Sequence, residues 1–152
     1  ETATGQDQVE FQVAANPGQA QASLAKTASG GELSRISLAI QVATAGCGEV
    51  PTLIYDEVDV GIGGGVATKV GRLLRDLGNN RQILVVTHLA QVAAHANHHL
   101  QVGKQVSNRN TETQIVPLGE DDRINEIARM LGSEDITAQS LAHAGEMIEQ
   151  AG

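Results

Sequence analysis

Aromatic side chains are almost missing from this chain: Phe11 and Tyr55 are the whole set, and there is no tryptophan. A core of ordinary density must therefore be assembled from Val, Ile, Leu and Ala, which suits closely packed layers of helix and sheet. Cysteine is nearly absent as well. Cys47 alone cannot form an internal disulfide, which excludes a disulfide-stapled framework and points to a reducing compartment, the cytoplasm. No apolar run approaches the ~20 residues that a membrane-spanning helix needs, so no membrane partner is expected. Residues 1–10 also lack the basic start and apolar stretch of a secretory leader. Neither a repeat nor a linker divides the 152 residues, and a single unit over 1–152 is expected.

Basic residues are scarce too. Lys and Arg number 10 against 18 Asp and Glu, a net charge of -8, and no basic cluster interrupts the acidity. A surface that grips DNA draws most of its non-specific affinity from cations set against phosphates. If the protein acts on DNA, its main contact surface is expected outside this acidic segment.

What the chain does have is pattern. Val9, Phe11 and Val13 alternate with Glu10 and Gln12, which predicts a half-buried strand. After the turn Asn16-Pro17-Gly18 and a polar stretch to Thr27, Ser29 stands three residues before Glu32, the spacing of a helix-capping box. Leu33, Ile36, Ile40 and Ala43 then recur at helical spacing, and the helix should stop before Gly46 and Gly48. Leu53-Ile54-Tyr55 is a continuous apolar run closed by Asp56-Glu57, which predicts a buried strand with carboxylates at its C-terminal end.

A loop over 61–65 leads into a helix carrying Val66, Val70, Leu73, Leu74 and Leu77. A second buried strand is predicted over 83–86, ending at Thr87-His88, and a short helix over 90–96 follows it. Residues 100–106 and 113–118 read as a hairpin, and helices over 122–131 and 137–150 finish the chain. Buried parallel strands separated by helices imply an α/β fold: a mostly parallel sheet flanked by helices, with a small hairpin. Ligands of such sheets sit at the C-terminal ends of the strands.

The candidate chemistry lies at those ends. Ser29 and the amides of Gly30 and Gly31 open a helix, where the dipole favours an anion and glycine lets backbone approach a phosphate oxygen. A plainer role for Ser29 and Glu32 is to cap that helix. Asp56 can hold Mg²⁺, which demands hard oxygen ligands, and Glu57 beside it can orient and deprotonate an attacking water. Acids at strand ends are often merely solvated, but two directly after an apolar run, with Asp59 two residues on, are a stronger signal. His88 after Val85-Val86-Thr87 can contact a terminal phosphate, although a lone histidine at a strand end is usually a surface residue. His95, His98, His99 and His143 suggest a metal site only weakly, since no cysteine or paired acid completes a tetrahedral set.

Taken in order, these motifs carry a resemblance. The run from Ala28 to Arg35, Ala-Ser-Gly-Gly-Glu-Leu-Ser-Arg, resembles the signature of ABC ATPases in the form used by chromosome-maintenance and repair proteins. Residues 53–64, Leu-Ile-Tyr-Asp-Glu-Val-Asp-Val-Gly-Ile-Gly-Gly, resemble their Walker B motif and D-loop. Residues 85–95, Val-Val-Thr-His-Leu-Ala-Gln-Val-Ala-Ala-His, resemble their switch-histidine segment. The wording after each motif, together with residues 11–18 and 128–132, is similar to the RecN family of DNA-repair proteins over nearly the whole chain.

That resemblance implies the C-terminal half of an ABC-type P-loop NTPase head of the SMC-like kind, acting on DNA in double-strand break repair and recombination near the nucleoid. Two heads would sandwich ATP, so a second head, as a homodimer, and the N-terminal P-loop lobe of the same protein are the implied partners. By position, Ser29, Gly30, Gly31 and Glu32 would be signature residues that meet ATP and Asp59 the D-loop acid. Asp56 would be the Mg²⁺ ligand, Glu57 the base and His88 the switch.

One departure matters. No Gly-x-x-x-x-Gly-Lys-Ser/Thr occurs in the chain, and the glycines over 61–65 are not followed by the Lys-Ser/Thr pair a P-loop needs. The P-loop is expected in the N-terminal lobe, leaving this segment with half an active site. Competing readings are a transporter nucleotide-binding domain, an excision-repair ABC ATPase, or an acidic docking module without catalysis. A transporter domain more often has Gln where Glu32 stands, an excision-repair ATPase brings zinc-binding cysteines, and a docking module predicts no effect of replacing Glu57 or Ser29. The half-site expectation is directly testable. The purified segment should show background ATP turnover, and adding the P-loop lobe should restore hydrolysis; robust turnover by the segment alone would refute it.

Overall fold

The computed structural model describes residues 5–6, 9–14, 18, 20–24, 30–44, 50–107, 110–132 and 135–152, the side chains at 30–32, 34, 105–107, 110 and 111 excepted. At the N-terminal side the predicted strand contracts to β1 (Gln12–Val13), paired antiparallel with β2 (Ala22–Ser23). Phe11 is 64% exposed and Val9 more so, because this two-residue ribbon has no layer behind it among the described residues.

Helix α1 (Gly30–Ala43) follows, and Thr44 ends it by bonding back to the Ile40 carbonyl through both its amide, 2.9 Å, and its hydroxyl, 2.8 Å. Its buried residue is Leu38, with Val42 half-buried one turn on, rather than the predicted Leu33 and Ile40, which are exposed. The helix has two apolar flanks, and only the one through Leu38 and Val42 meets the core. Leu33 instead lines a cleft with Ser37, Gln41, Ile54, Tyr55 and Asp56.

Strand β3 (Thr52–Tyr55), helix α2 (Gly64–Leu77) and strand β4 (Gln82–Val85) form a βαβ unit, with the strands paired in parallel from Thr52↔Gln82 to Tyr55↔Val85. Parallel strands need such a crossover. Helix α2 buries Ala67, Val70, Gly71, Leu74 and Leu77, a stripe at helical spacing, while Val66 and Leu73 lie outside it. The strands are half-buried, not covered on both faces as predicted. Leu53, Tyr55, Ile83 and Val85 pack towards the core, whereas Ile54 is 70% exposed and Leu84 and Val86 are also open. Parallel sheets ordinarily carry a layer on each face. Among the described residues, no second layer covers the face of Ile54, Leu84 and Val86.

Beyond β4 the short helix α3 (Ala90–Ala93) stops earlier than predicted and joins two clusters. Val92 enters the first, with Leu38, Tyr55, Val58, Val70 and Leu74, while Ala90, Ala93 and Ala94 enter a second with Ile127, Ala128 and Ala144. That second cluster belongs to α4 (Glu120–Met130) and α5 (Ala138–Ala151), whose alanines let backbones approach closely. Two arginines close the end of α3. Arg123 donates to the carbonyls of Ala94, 2.8 Å, and Ala96, 2.6 Å, and Arg75 donates to that of His95, 3.1 Å. Cations at a helix C-terminus complement its orphan carbonyls and its dipole. Burial, aided by the like charge of Arg75, lowers the pKa of Arg123.

The hairpin appears where expected, as β5 (Leu100–Ser107) against β6 (Asn110–Pro117). Gln101 fastens it to α4 by donating to Glu126 at 2.6 Å. Glu126 also takes two bonds from Arg129, 2.7 and 2.8 Å, and these hold its carboxyl below the usual range against the opposing effect of burial. Helix α5 starts with a capping box in which Thr137 and Ser140 each bond the other's backbone amide.

The packing of α2 on α3 has one position without slack. A Cβ added at Gly71 would lie 2.7 Å from His95 Nδ1 and 3.0 Å from the Gln91 carbonyl oxygen. Overpacking of this kind costs about 1–3 kcal/mol, and each kcal/mol lowers the midpoint by roughly 2–4 °C at this size. Gly71→Ala should therefore melt several degrees lower in a thermal scan. Adding His95→Ala should recover part of the loss, since the ring supplies the nearest atom.

Candidate functional site

The C-terminal ends of β3 and β4 lie side by side because the strands are parallel, and the ladder continues one step further through Val86 N to Tyr55 O at 2.9 Å. Beyond Tyr55 the chain turns sharply. Val60 N bonds the Glu57 carbonyl at 3.2 Å and Ile62 N bonds the Asp59 carbonyl at 3.3 Å. Glu57 sits in the left-handed region, at φ 58°, a conformation that costs a non-glycine residue about 1–2 kcal/mol. The turn is anchored by Val58, which is fully buried in the first cluster. With Val58 driven inward, Asp56 and Glu57 stay exposed at the strand end, as required of groups that meet a ligand from solvent.

Asp59 does the opposite. Its side chain is 2% exposed, and its Oδ2 is met by the Thr87 hydroxyl at 2.5 Å, the His88 backbone amide at 3.0 Å and the His88 ring Nδ1 at 3.2 Å. Thr87 Oγ1 in turn accepts from the Leu89 amide at 3.1 Å, at the entry to α3. A buried carboxylate is expensive unless donors satisfy it. Here the segment after β4 supplies them. The His88 ring itself remains 69% exposed.

Two further residues brace the site. Arg35 Nη1 donates to the Val60 carbonyl at 2.6 Å, tying α1 to the turn after β3. The Tyr55 hydroxyl bonds the side-chain oxygen of Gln41, and burial raises its pKa, against a smaller opposing effect of Arg81, so it serves as a neutral donor. The motif-level reading had assigned no role to Arg35, Thr87 or Gln41. Arg35 ends the signature-like run 28–35 and Thr87 stands beside His88 in the run 85–95, so adjacency to the motifs is the available signal. Gln41 carried none.

Of the sequence candidates, Asp59 and His88 are thus brought into contact, and Asp56 and Glu57 sit at the same sheet end. Gly30, Gly31 and Glu32 form the first turn of α1 as expected, with their side chains outside the description, and Ser29 lies outside the described residues altogether. His95 is buried, with its Nδ1 2.9 Å from the Gln91 carbonyl, and no group of three or more His, Cys, Asp or Glu able to hold a metal ion occurs among the described residues.

No family model matches the chain. Individual proteins do. DNA repair protein RecN of Vibrio cholerae is 54% identical over 144 residues, 95% of this chain and 26% of that protein. RecN of Haemophilus influenzae is 51% identical over 148 residues, 97% and 26%. RecN of Deinococcus radiodurans is 46% identical over 146 residues, 96% and 25%. Among solved structures, a chain from work on ATP-driven dimerization and DNA-stimulated activation of SMC ATPases superposes with a TM-score of 0.54 at 20% identity. It covers 78% of this chain and 70% of that one, a likeness of fold. The chain spans about a quarter of the length of the curated relatives it matches. With near-complete coverage of its own residues at such identity, the chain belongs, as a segment, to the RecN family of DNA repair proteins and has an SMC-ATPase type of fold.

Proposed function

We propose that this segment is the C-terminal lobe of an SMC-like ATPase head, and that the protein carrying it binds and hydrolyses ATP between two heads to act on DNA in double-strand break repair and recombination. The observation that carries the proposal is the division of labour at one sheet end: Asp56 and Glu57 exposed after β3, and His88 after β4 held from behind by buried Asp59. The RecN relatives are DNA repair proteins, and the structural neighbour comes from SMC ATPases described as dimerizing with ATP and responding to DNA. Both support the reading.

In this reading the segment contributes half of a composite site. Asp56 offers the hard oxygen ligand that suits Mg²⁺, and the exposed strand-end pair fits such an ion. Mg²⁺ would supply charge neutralisation on the phosphate oxygens. Glu57 would orient the attacking water and accept its proton at the carboxylate, and His88 would face the terminal phosphate of ATP. Ser29, Gly30, Gly31 and Glu32 would offer a helix N-terminus to the nucleotide held by the opposite head. The P-loop would come from the N-terminal lobe of the same protein, and the open face of Ile54, Leu84 and Val86 is a surface a further layer would cover. DNA would be met through surfaces outside this acidic segment, in the cytoplasm at the nucleoid.

Three variants of the intact protein test this. Glu57→Gln keeps shape but cannot take the proton, so hydrolysis should fall by about 10²–10⁴, the usual contribution of a positioned base. ATP should still bind, and an ATP-dependent dimer should accumulate, read as a mass increase by light scattering. Asp56→Asn should lose Mg²⁺-dependent binding and trap no dimer. Wild-type turnover in Glu57→Gln would remove the base from this mechanism and favour a docking module. Ser29→Arg should leave monomer ATP affinity nearly intact while dimerisation and hydrolysis fall together. Collapse of that affinity with dimerisation preserved would show that the signature assignment is wrong.

A further inference from the structure

Three acids follow β3 within four residues, and they do not share one fate. Asp56 and Glu57 face solvent, whereas Asp59 is buried and spends its Oδ2 on residues 87 and 88 of the neighbouring strand's extension. Two of its three contacts go to one residue. The carboxylate takes the His88 backbone amide at 3.0 Å and lies 3.2 Å from the Nδ1 of the same residue's ring. His88 is thus bonded through its backbone and approached at its ring by one carboxylate, although its side chain is 69% exposed.

A carboxylate only accepts, so one lying 3.2 Å from Nδ1 favours the form of the ring in which that nitrogen carries the hydrogen. That form leaves Nε2, the other ring nitrogen, to a ligand. Which nitrogen of a histidine is available to a ligand is set by the bond the other one makes. We propose that Asp59 is a positioning residue for His88 within its own chain: it fixes the Nδ1–H form and presents Nε2 as the nitrogen that meets the terminal phosphate. The proposal rests on the reading of His88 as the phosphate-facing residue, and it gives Asp59 a role behind the histidine instead of a contact with nucleotide. When a phosphate oxygen sits at Nε2, that nitrogen must carry a hydrogen too. The ring is then a cation between two anions, and Asp59 supplies the second. Thr87 completes the arrangement by donating to the same oxygen while accepting from Leu89, so Asp59, Thr87 and the entry to α3 are held as one unit.

The test reads the ring directly. Full-length protein labelled with ¹⁵N-histidine, in alkaline buffer where imidazole carries one proton, should show His88 protonated at Nδ1 and bare at Nε2, its signals identified by their loss in His88→Gln. Asp59→Ala should abolish that preference, whereas Thr87→Val, which leaves the carboxylate in place, should keep it. A bare Nδ1 in the unsubstituted protein would overturn the proposal, and that measurement needs no variant to fold. Kinetically, removing the support behind a working group typically costs about 10–100-fold. Asp59→Ala should lower kcat by that factor with little change in KM for ATP, and should add nothing in a His88→Gln background. Additive losses would overturn the proposal as well, because Asp59 would then act elsewhere. If His88→Gln itself hydrolyses ATP normally, the phosphate-facing reading of His88 fails, and the ring spectrum still decides whether Asp59 orients it.

Discussion

The ladder between β3 and β4 runs parallel from Thr52↔Gln82 to Tyr55↔Val85, so whatever follows each strand emerges beside whatever follows the other. Every candidate group after the first 50 residues inherits its place from that pairing. Asp56 and Glu57 leave one strand, Thr87 and His88 leave the other, and no loop has to search for the encounter. The burial of Val58 converts this proximity into a contact. It forces the turn after β3 to fold back into the core, and Asp59 goes in with it. An inward carboxylate must then find donors, and the residues within reach are those after β4. Strand direction, one apolar residue and the cost of an unsatisfied charge together account for the geometry.

Much of this was legible in the sequence, for identifiable reasons. The apolar run ending in two acids marked β3, the helical stripe marked α2, the polar break between alternating segments marked the hairpin, and Thr137 marked the start of α5. What periodicity cannot report is which stripe finds a partner. Helix α1 has two apolar flanks of similar strength, and the flank through Leu38, not that through Leu33 and Ile40, meets the core. Ile54 reads as buried from its neighbours, yet the pleat turns it to the uncovered side. Asp59 shows the same limit in the candidate site. As a third acid in a row of acids it resembled its neighbours, and only the position of Val58 sends it the other way.

The segment also departs from a two-layer plan at α3. This single turn of helix contributes Val92 to one cluster and, with Ala94 just after it, three alanines to the other, and Arg75 from α2 and Arg123 from α4 converge on the carbonyls of residues 94–96 that follow it. His88 stands two residues before it. The segment carrying the histidine is therefore gripped by the βαβ unit through Asp59 on one side and by the α4–α5 pair through α3 on the other. The exposed ring itself can move, but the backbone that carries it is fixed on both sides, by Asp59 and by the packed turn of α3.

The uncovered strand face has a meaning for the life of the polypeptide before any chemistry begins. Ile54, Leu84 and Val86 are open to water, and so are the paired Val102 and Ile115 of the hairpin. Apolar strand faces left open during synthesis are where self-association starts, and they are what holding chaperones bind. For this segment, any layer that covers the face would remove that liability at the same time.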